Sequence, residues 1–365
     1  MSNMARATFM IGLMLLGTGA GLAHPARSAD ARGPLDGPPV TVMTQNLYLG
    51  ADVAPVFAAA SGGSYEAVAA AAAQAFVHAS SSDMPRRAAA VAEEISAGQP
   101  HVVGLQEAAV WTSLADPEHP ESQSNLALLL EALGERGQNY EAVAIAPGFE
   151  EALPTAFGYP VQLSLSDVLL ARSDLASDEF DVTNPQFGTF GARIRIPVET
   201  PMGTEVVDIP RQWVSAEVNW RGATFRVIST HLESADEDVR VLQTGELLDV
   251  AETSDLPLVL VGDLNAGVAD EGDSSWLLTN FGGFDDAWAA KKPRLAGSTC
   301  CHDPLLRSTG DALDSRIDFV LTRGGFHAVT VAIEGDEPME SPAEGTGVLW
   351  ASDHAGLSAT LLAPK

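Results

Sequence analysis

Residues 258–265 (LVLVGDLN) place two polar side chains directly after an aliphatic run. The aliphatic, partly β-branched run predicts a strand that is buried on both faces. Asp263 and Asn265 are two positions apart, so their side chains point the same way from the end of this strand. A carboxylate and a carboxamide in that arrangement suit a site that accepts protons and binds a divalent cation, although an Asx turn would use the same residues.

Polar side chains of the same kinds lie at the ends of several other predicted strands. Each one alone has a structural explanation, such as a turn, a solvated carboxylate or a hydrogen-bonded core histidine. Together they are harder to explain in that way, because a buried carboxylate is unfavourable without a cation or a partner. The whole set comprises Asn46, Glu107, His231, Asp263, Asn265, Asp318, Asp353 and His354.

The chemistry that this set fits is the hydrolysis of a phosphate ester. Carboxylate and carboxamide oxygens without a cysteine cluster favour Mg²⁺, with Mn²⁺ or Ca²⁺ as alternatives, over zinc. A cation bound in this way polarises a phosphoryl oxygen and stabilises charge on the leaving oxygen. A histidine that is oriented by an aspartate then takes a proton from water.

The rest of the sequence predicts the elements that position these side chains. Helices are predicted at 64–78, 83–96, 124–134 and 237–253, with two short helices within 275–288 and antiparallel hairpins over 179–220. Besides the strand that begins at Pro257, strands are predicted at 40–46, 102–105, 140–146, 167–172, 225–230, 315–322, 327–333 and 357–362, and 147–166 is predicted to be loop. Without a break that would mark a linker, this order predicts one domain with two sheets packed face to face.

Six segments, in this order, resemble the endonuclease/exonuclease/phosphatase superfamily. They are 44–47 (TQNL), 106–107 (QE), 229–232 (STHL), 262–265 (GDLN), 316–318 (RID) and 352–354 (SDH), and the resemblance spans residues 40–362. The superfamily includes DNase I-like nucleases, exonuclease III-like repair enzymes, inositol polyphosphate phosphatases and bacterial sphingomyelinases. The resemblance implies an α/β fold, a four-layer sandwich of two packed mixed β-sheets flanked by helices.

The resemblance also implies a role for each residue of the set. Glu107, helped by Asn46, would ligate the metal, with Asp353 close to it. His354, oriented by Asp318, would be the general base that activates water. Asp263 and Asn265 would position the nucleophile and the phosphate, and His231 would stabilise or protonate the transition-state oxygens. The resemblance leaves open which histidine is the acid and which the base.

The sequence departs from the family pattern at three places. Asp167 stands where many relatives have a glycine or small residue; we expect it to cap the strand, with the orientation of His231 as the alternative. DNase I-like nucleases carry an arginine after the Gln-Glu pair, whereas residues 108–111 here are AAVW, which weakens the assignment as a nuclease. The insert 112–166 and the loop at Cys300-Cys301-His302 match no known functional motif, and these two cysteines form either a vicinal disulfide or two free thiols.

Composition and the N-terminus indicate an exported protein. A formal net charge of -29 argues against broad, salt-driven wrapping of nucleic acid, and 46% hydrophobic residues are ample for a packed core in 365 residues. Residues 1–23 resemble a signal peptide, with an uncleaved anchor as the alternative, and 24–38 are expected to be a disordered lead-in to a domain at 39–365. We expect a secreted or periplasmic monomer without an integral membrane segment once the leader is removed.

The function predicted from the sequence is that of an exported, divalent-metal-dependent phosphodiesterase or phosphatase. The apolar residues at 47–49 and 110–111, together with the acidic surface, favour a lipid headgroup or small phosphoester as substrate. A secreted endonuclease acting on DNA is the first alternative. A catalytically idle relative that binds a ligand or partner is the second.

Overall fold

Most of the chain folds around two large β-sheets. The computed structural model describes residues 37–200, 203–268, 271–308, 312–339 and 348–365. The expected signal peptide at 1–23 and nearly all of the expected lead-in at 24–38 lie outside these ranges.

The first sheet has seven strands among the described residues, in the order β14-β15-β1-β2-β5-β4, with β3 paired to β2. β1 and β2 are parallel, and the other neighbouring pairs are antiparallel. The bounds are β1 (Pro39–Asn46), β2 (Val102–Ser113), β3 (Glu121–Ser124), β4 (Tyr140–Leu153), β5 (Val161–Arg172), β14 (His327–Glu334) and β15 (Gly356–Leu362).

The second sheet has six strands within the described ranges, in the order β12-β13-β11-β10-β9-β6. β10 and β11 are parallel. A separate hairpin pairs β7 with β8. The bounds are β6 (Phe180–Thr189), β7 (Ile194–Thr200), β8 (Gly203–Ile209), β9 (Gln212–Trp220), β10 (Ala223–His231), β11 (Leu258–Asp263), β12 (Asp285–Asp286) and β13 (Asp318–Arg323).

Helices cover the outer faces of both sheets. α3 and α4 share a buried apolar cluster with the first sheet, and α5 and α6 share another with the second. None of the helices in the described residues is both long and apolar enough to cross a bilayer. The bounds are α1 (Ala54–Ser61), α2 (Tyr65–Ser81), α3 (Met84–Gly98), α4 (Asn125–Glu135), α5 (Glu237–Ala251), α6 (Ser274–Asn280) and α7 (Ala287–Lys291).

The two sheets pack face to face through their β-branched side chains. Val42 and Val102 of the first sheet share one buried cluster with Val227 and Val261 of the second. Gly104 marks the closest approach, because a Cβ there would lie 2.5 Å from the Ser229 hydroxyl oxygen. With helices outside both sheets, these layers confirm the predicted four-layer α/β sandwich.

Strand pairing brings the polar strand ends to one edge of the sandwich. His231, Asp263 and Asp318 are direct register partners across β10, β11 and β13. In the first sheet, Asn46 at the end of β1 is the register partner of Gln106 in β2. The carboxyl ends of parallel strands meet at one edge of a sheet, which is why segments so distant in sequence converge here.

Three predictions about elements are wrong, and each missed an ordered segment. β2 runs to Ser113 rather than ending at residue 105. Residues 147–166 are largely strand, because β4 continues to Leu153 and β5 begins at Val161. No helix was predicted at α1, whose eight residues are too short for a clear helical period.

His101 gives the fold a predictable response to pH. Its Nδ1 accepts a hydrogen bond from the Thr41 amide at 3.1 Å, and its ring lies 4.5 Å from the Trp220 ring. Burial lowers the pKa of His101 to about 4, so the unfolded chain takes up a proton at a higher pH than the folded chain does. Folding stability that depends on this residue is therefore present above pH 6.5 and is lost as the pH falls towards 4.

We expect that His101→Gln reduces the loss of unfolding free energy between pH 7 and pH 4.5 by about 2 kcal/mol. Urea titrations at the two pH values measure this difference. His327→Gln, which changes an exposed histidine, is the control and should keep the wild-type loss. An unchanged pH dependence in the His101 variant would show that this residue is not protonated on unfolding.

Candidate active site

Two histidines and two aspartates meet at the shared edge of the sandwich. Nδ1 of His354 donates a hydrogen bond to Asp318 Oδ2 at 2.8 Å, and its Nε2 lies 3.8 Å from Asp263 Oδ2. Nε2 of His231 lies 3.4 Å from the same oxygen of Asp263. All four side chains are buried. The structure therefore groups four of the five residues that were predicted to be catalytic.

The electrostatic surroundings shift the pKa values of the two histidines in opposite directions. Burial lowers the pKa of His354, but the neighbouring carboxylates, Asp318 foremost, outweigh burial and hold this pKa well above its usual value. Burial lowers the pKa of His231 well below its usual value, and the positive charge of Arg211 adds to this effect. His354 therefore favours the protonated state and His231 the neutral state.

Asp263 is the residue that both histidines share. Its Oδ2 accepts a hydrogen bond from Asn46 Nδ2 at 3.2 Å, and its Oδ1 accepts one from the Asn265 amide at 2.9 Å. Asn265, the fifth predicted catalytic residue, donates from its side chain to the Leu232 carbonyl at 2.9 Å. Burial raises the pKa of Asp263 to about 7, and the charge of Asp318 adds to the increase. Hydrogen bonds to both of its oxygens thus hold the carboxyl group in place, and its pKa lies near neutral pH.

Glu107 reaches the site because β2 contains a bulge. The register between β2 and β5 shifts between Leu105 and Ala108, and Glu107 has a φ of 54°. Such a bulge turns a side chain out of the regular pleat. The carboxylate accepts a hydrogen bond from the Leu49 amide at 2.8 Å through Oε2. Glu107 also lines the cavity described below.

The predicted metal ligands form a donor set that fits a hard divalent cation. Burial raises the pKa of Asp353 to about 6; the charge of His354 opposes this increase and the charge of Glu107 adds to it. Asn46 lies in register beside Gln106, which directly precedes Glu107. Two neighbouring carboxylates and a carboxamide offer only oxygen ligands, which Mg²⁺, Mn²⁺ and Ca²⁺ prefer.

A second group of possible metal ligands lies next to the first. Asp263, Asp318 and His354 have ligand atoms within 4.8 Å of one another. The His354 nitrogen that faces Asp318 is already engaged in their 2.8 Å hydrogen bond. A cation bound through this nitrogen would therefore have to break the hydrogen bond between His354 and Asp318.

Arg211 is a site residue that the sequence did not reveal. It lies directly before β9, and its Nη1 is 3.2 Å from Nδ1 and 3.1 Å from Nε2 of His231. Its Nε lies 3.4 Å from Glu233 Oε2. The guanidinium lines the same cavity as Glu107. Arg211 thus supplies a positive charge to a site that lacks an arginine after the Gln-Glu pair.

Arg87 is a second residue missed from the sequence. This buried side chain of α3 donates to the carbonyls of Leu47 at 2.6 Å, Tyr48 at 2.9 Å and Ala351 at 2.9 Å. Burial lowers the pKa of Arg87 to about 10, while the charge of Asp353 opposes the decrease. Its hydrogen bonds hold the loop after β1 next to the segment that carries Asp353.

Asp167 does not cap its strand, and the prediction that favoured a cap is wrong. The residue lies inside β5, where it pairs with Ala146, and its side chain is 3% exposed. Its Oδ2 has no hydrogen-bond partner among the described residues, and it lines the cavity with Glu107. Burial raises the pKa of Asp167 well above its usual value, and the nearby charge of Arg211 reduces the increase. Asp167 therefore places a buried carboxyl group with a raised pKa in the wall of the site.

The two cysteines lie beside the general-base candidate. Cys300 and Cys301 are paired as a vicinal disulfide, the first of the two alternatives left open by the sequence. Sγ of Cys301 lies 3.9 Å from Nε2 of His354. The loop at 300–302 therefore forms part of the surroundings of the site.

A cavity of about 610 Å³ opens beside these groups. At one end its lining includes three of the predicted site residues, Glu107, His231 and Asp353, together with Asp167 and Arg211. A volume of this size is typical of a small-molecule site. The arrangement combines carboxylates that fit a cation, a histidine–aspartate pair and an arginine. These groups suit the hydrolysis of a phosphoester.

Solved structures with the same architecture support this assignment of the fold. An endonuclease/exonuclease/phosphatase family protein from Bacteroides thetaiotaomicron is 17% identical with a TM-score of 0.57, over 89% of this chain and 95% of that chain. A mannosyl-6-phosphatase from the same organism is 18% identical with a TM-score of 0.55, over 88% and 99%. Truncated TDP2 from Caenorhabditis elegans is 19% identical with a TM-score of 0.51, over 89% and 98%.

Sequence comparison identifies the family directly. A search of curated proteins finds no match. The model of the Endonuclease/Exonuclease/phosphatase family matches residues 43–354, a span that includes all eight predicted site residues. Because this match covers most of the chain and agrees with the sandwich and its polar edge, the chain belongs to the Endonuclease/Exonuclease/phosphatase family.

Proposed function

We propose that this protein is an exported, divalent-metal-dependent hydrolase of a phosphodiester or phosphomonoester, with a lipid headgroup or small phosphoester as substrate. The observation that carries the proposal is the position of the Asp318–His354 pair next to the carboxylates of Glu107 and Asp353. Membership of the family supports hydrolysis of a phosphoester bond as the reaction class. Export to a secreted or periplasmic location follows from residues 1–23 alone.

The ligands proposed for the cation are Glu107, Asp353 and Asn46. Mg²⁺ is the preferred ion, and Mn²⁺ or Ca²⁺ would be held by the same oxygen atoms. When bound, such an ion supplies Lewis-acid polarisation of a phosphoryl oxygen and stabilises negative charge on the leaving oxygen.

The proposed reaction is the attack of water on phosphorus. The water oxygen forms a new bond to phosphorus, the ester bond to the leaving oxygen breaks, and His354 in its neutral form accepts the proton from water. The neighbouring carboxylates raise the pKa of His354, and the charge of a cation at Glu107 and Asp353 would oppose them and favour this neutral form. Asp318 stabilises the imidazolium that results, through the 2.8 Å hydrogen bond. Arg211 and His231 lie at the cavity end where the phosphoryl oxygens would gain charge, and Asp263 and Asn265 fix their surroundings.

Charge and shape favour a small or lipid-derived phosphoester over a polynucleotide. A net charge of -29 repels an extended polyanion, and the two arginines that line the cavity, Arg195 and Arg211, do not offset it. The cavity is also apolar over much of its wall, with Leu163, Ile194 and Ile209 among its lining residues. The mannosyl-6-phosphatase of the same fold shows by its name that this fold can act on a small phosphoester.

A substrate panel on the purified protein tests the reaction and its substrate together. We expect phosphate or headgroup release from sphingomyelin, phospholipids or small phosphoesters in Mg²⁺ buffer, and no release after the metal is removed with EDTA. Nicking of plasmid DNA in the same buffer at a comparable rate would favour the alternative, a secreted endonuclease. Absence of turnover on every substrate, by folded protein both in Mg²⁺ buffer and after EDTA treatment, would favour an idle binding protein.

We expect Glu107→Gln to weaken Mg²⁺ binding by at least about tenfold, because the substitution removes the charge of a ligand without changing its size. Isothermal titration measures the affinity without depending on turnover. Glu131→Gln, which removes an exposed carboxylate of α4, is the matched control and should bind Mg²⁺ as the wild type does. Equal affinities in all three proteins would remove Glu107 from the metal site.

We expect His354→Ala and His231→Ala each to lower the kcat of the folded protein by roughly two to four orders of magnitude. His354→Ala should also lower the free energy of unfolding, because it leaves Asp318 buried without its partner. Circular dichroism checks the fold, and initial rates at saturating Mg²⁺ give kcat. His327→Ala, at an exposed position in β14, serves as the control. Wild-type turnover in either site variant would exclude that histidine from the mechanism.

A further inference from the structure

The cavity at the site has a polar end and an apolar end. Its polar end holds Glu107, His231 and Asp353, and its walls continue through aliphatic side chains such as Leu165 and Ile209. Protein interiors rarely contain apolar voids much larger than a water molecule. An apolar extension that is continuous with reactive groups is typical of a site that binds the non-reacting part of a substrate.

A second cavity borders the first. Its volume is about 620 Å³, and it shares the side chains of Phe57, Phe149 and Ile196 with the first cavity. The two phenylalanine rings meet edge to face, with centroids 6.2 Å apart. These three residues therefore form an apolar boundary between the two spaces, and a hydrocarbon chain that reaches from one space into the other would pass against them.

The second cavity is suited to an uncharged group. Its described lining contains Val56, Val68 and Val207 but no lysine, arginine or histidine. The charged residues in the lining are Glu151 and Glu205, which repel a carboxylate or a second phosphate. The occupant that fits is a hydrocarbon chain whose far end carries no negative charge.

We propose that the two cavities together bind the single hydrocarbon chain of an amphiphilic phosphoester, with the phosphate placed among Glu107, His231 and Asp353. The proposal rests on the phosphoesterase function proposed above and names the substrate class of that same site. The chain passes the boundary formed by Phe57, Phe149 and Ile196 and ends in the second cavity. Binding energy from the chain then holds the phosphoester next to the reactive groups.

A series of alkyl p-nitrophenyl phosphate diesters tests the proposal. The water oxygen forms a bond to phosphorus, the bond to nitrophenolate breaks, and the alkyl phosphate remains as the second product. The series comprises the methyl, butyl, octyl and dodecyl esters, each assayed in Mg²⁺ buffer below the concentration at which it forms micelles. We expect kcat/KM to rise by about two- to fourfold for each methylene that is buried. The increase should stop when the chain has filled the available space.

Two substitutions at Ile196 separate chain binding from chemistry. Ile196→Trp adds bulk at the boundary and should remove most of the gain between the butyl and dodecyl esters, measured as the ratio of their kcat/KM values within the same variant. Ile196→Ala widens the boundary and should keep or extend the preference for long chains. Val206→Trp is the control: it adds the same side chain to the same hairpin at a position that is 60% exposed and lines neither cavity.

The outcomes distinguish the two proposals. Equal kcat/KM for methyl and octyl esters in the wild type would overturn chain binding and leave the phosphoesterase function standing. If no ester is hydrolysed, the proposal fails for phosphodiesters, and isothermal titration with octylphosphonate still tests the cavities. Affinity for octylphosphonate that exceeds the affinity for methylphosphonate and is lost in Ile196→Trp supports the chain site. Equal affinity for the two phosphonates overturns it, and Ile196→Ala provides the comparison if Ile196→Trp does not fold.

Discussion

The buried hydrogen bond between His354 and Asp318 is the interaction on which the site depends. Asp318 begins β13 in the second sheet, whereas His354 lies two residues before β15 in the first, so the 2.8 Å bond joins the two sheets at their polar edge. A buried ionised group that loses its partner is strongly destabilising. The same contact therefore aligns the sheets and fixes the ring that is proposed to accept a proton.

Crowding of negative charge is the second constraint. Asp263, Asp318 and Asp353 all act on His354, and Glu107 acts on Asp353. The fold offsets part of this charge with Arg87 behind the loop after β1 and Arg211 at the cavity wall. What remains is an excess of carboxylate that favours a divalent cation when one binds. This negative charge adds to burial in raising the pKa of Asp263 to about 7 and the pKa of Asp167 well above its usual value.

The sequence reveals the residues at strand ends better than the residues that support them. Asp263, His231 and Asn46 follow short runs of β-branched side chains, so a local pattern is enough to place them at an edge. Arg211 is separated from His231 by two strands, and Arg87 lies on a helix among alanines, so no local pattern connects either to the site. Their positions depend on tertiary packing.

The misassigned loop has a similar cause. Pro147, Gly148 and Pro154 interrupt the alternation that marks a strand, yet β4 continues through the first two of these residues. A Cβ at Gly148 would lie 2.6 Å from the Gln212 side chain, so the glycine allows β4 to approach β9 of the other sheet. The same region helps to form the apolar cavities, because Phe149 follows directly. The irregular sequence of this segment therefore reflects a close contact between the two sheets and the wall of the apolar cavities rather than a loop.

The central claim is that strand ends from both sheets build one cation site at Glu107 and Asp353, next to the pair formed by Asp318 and His354. The most direct measurement is an anomalous difference map from crystals of the protein soaked with Mn²⁺. The account predicts a peak within about 2.0–2.6 Å of carboxylate oxygens of Glu107 or Asp353. A peak held by Asp263, Asp318 and His354 alone, or no peak at this edge of the sandwich, would contradict it.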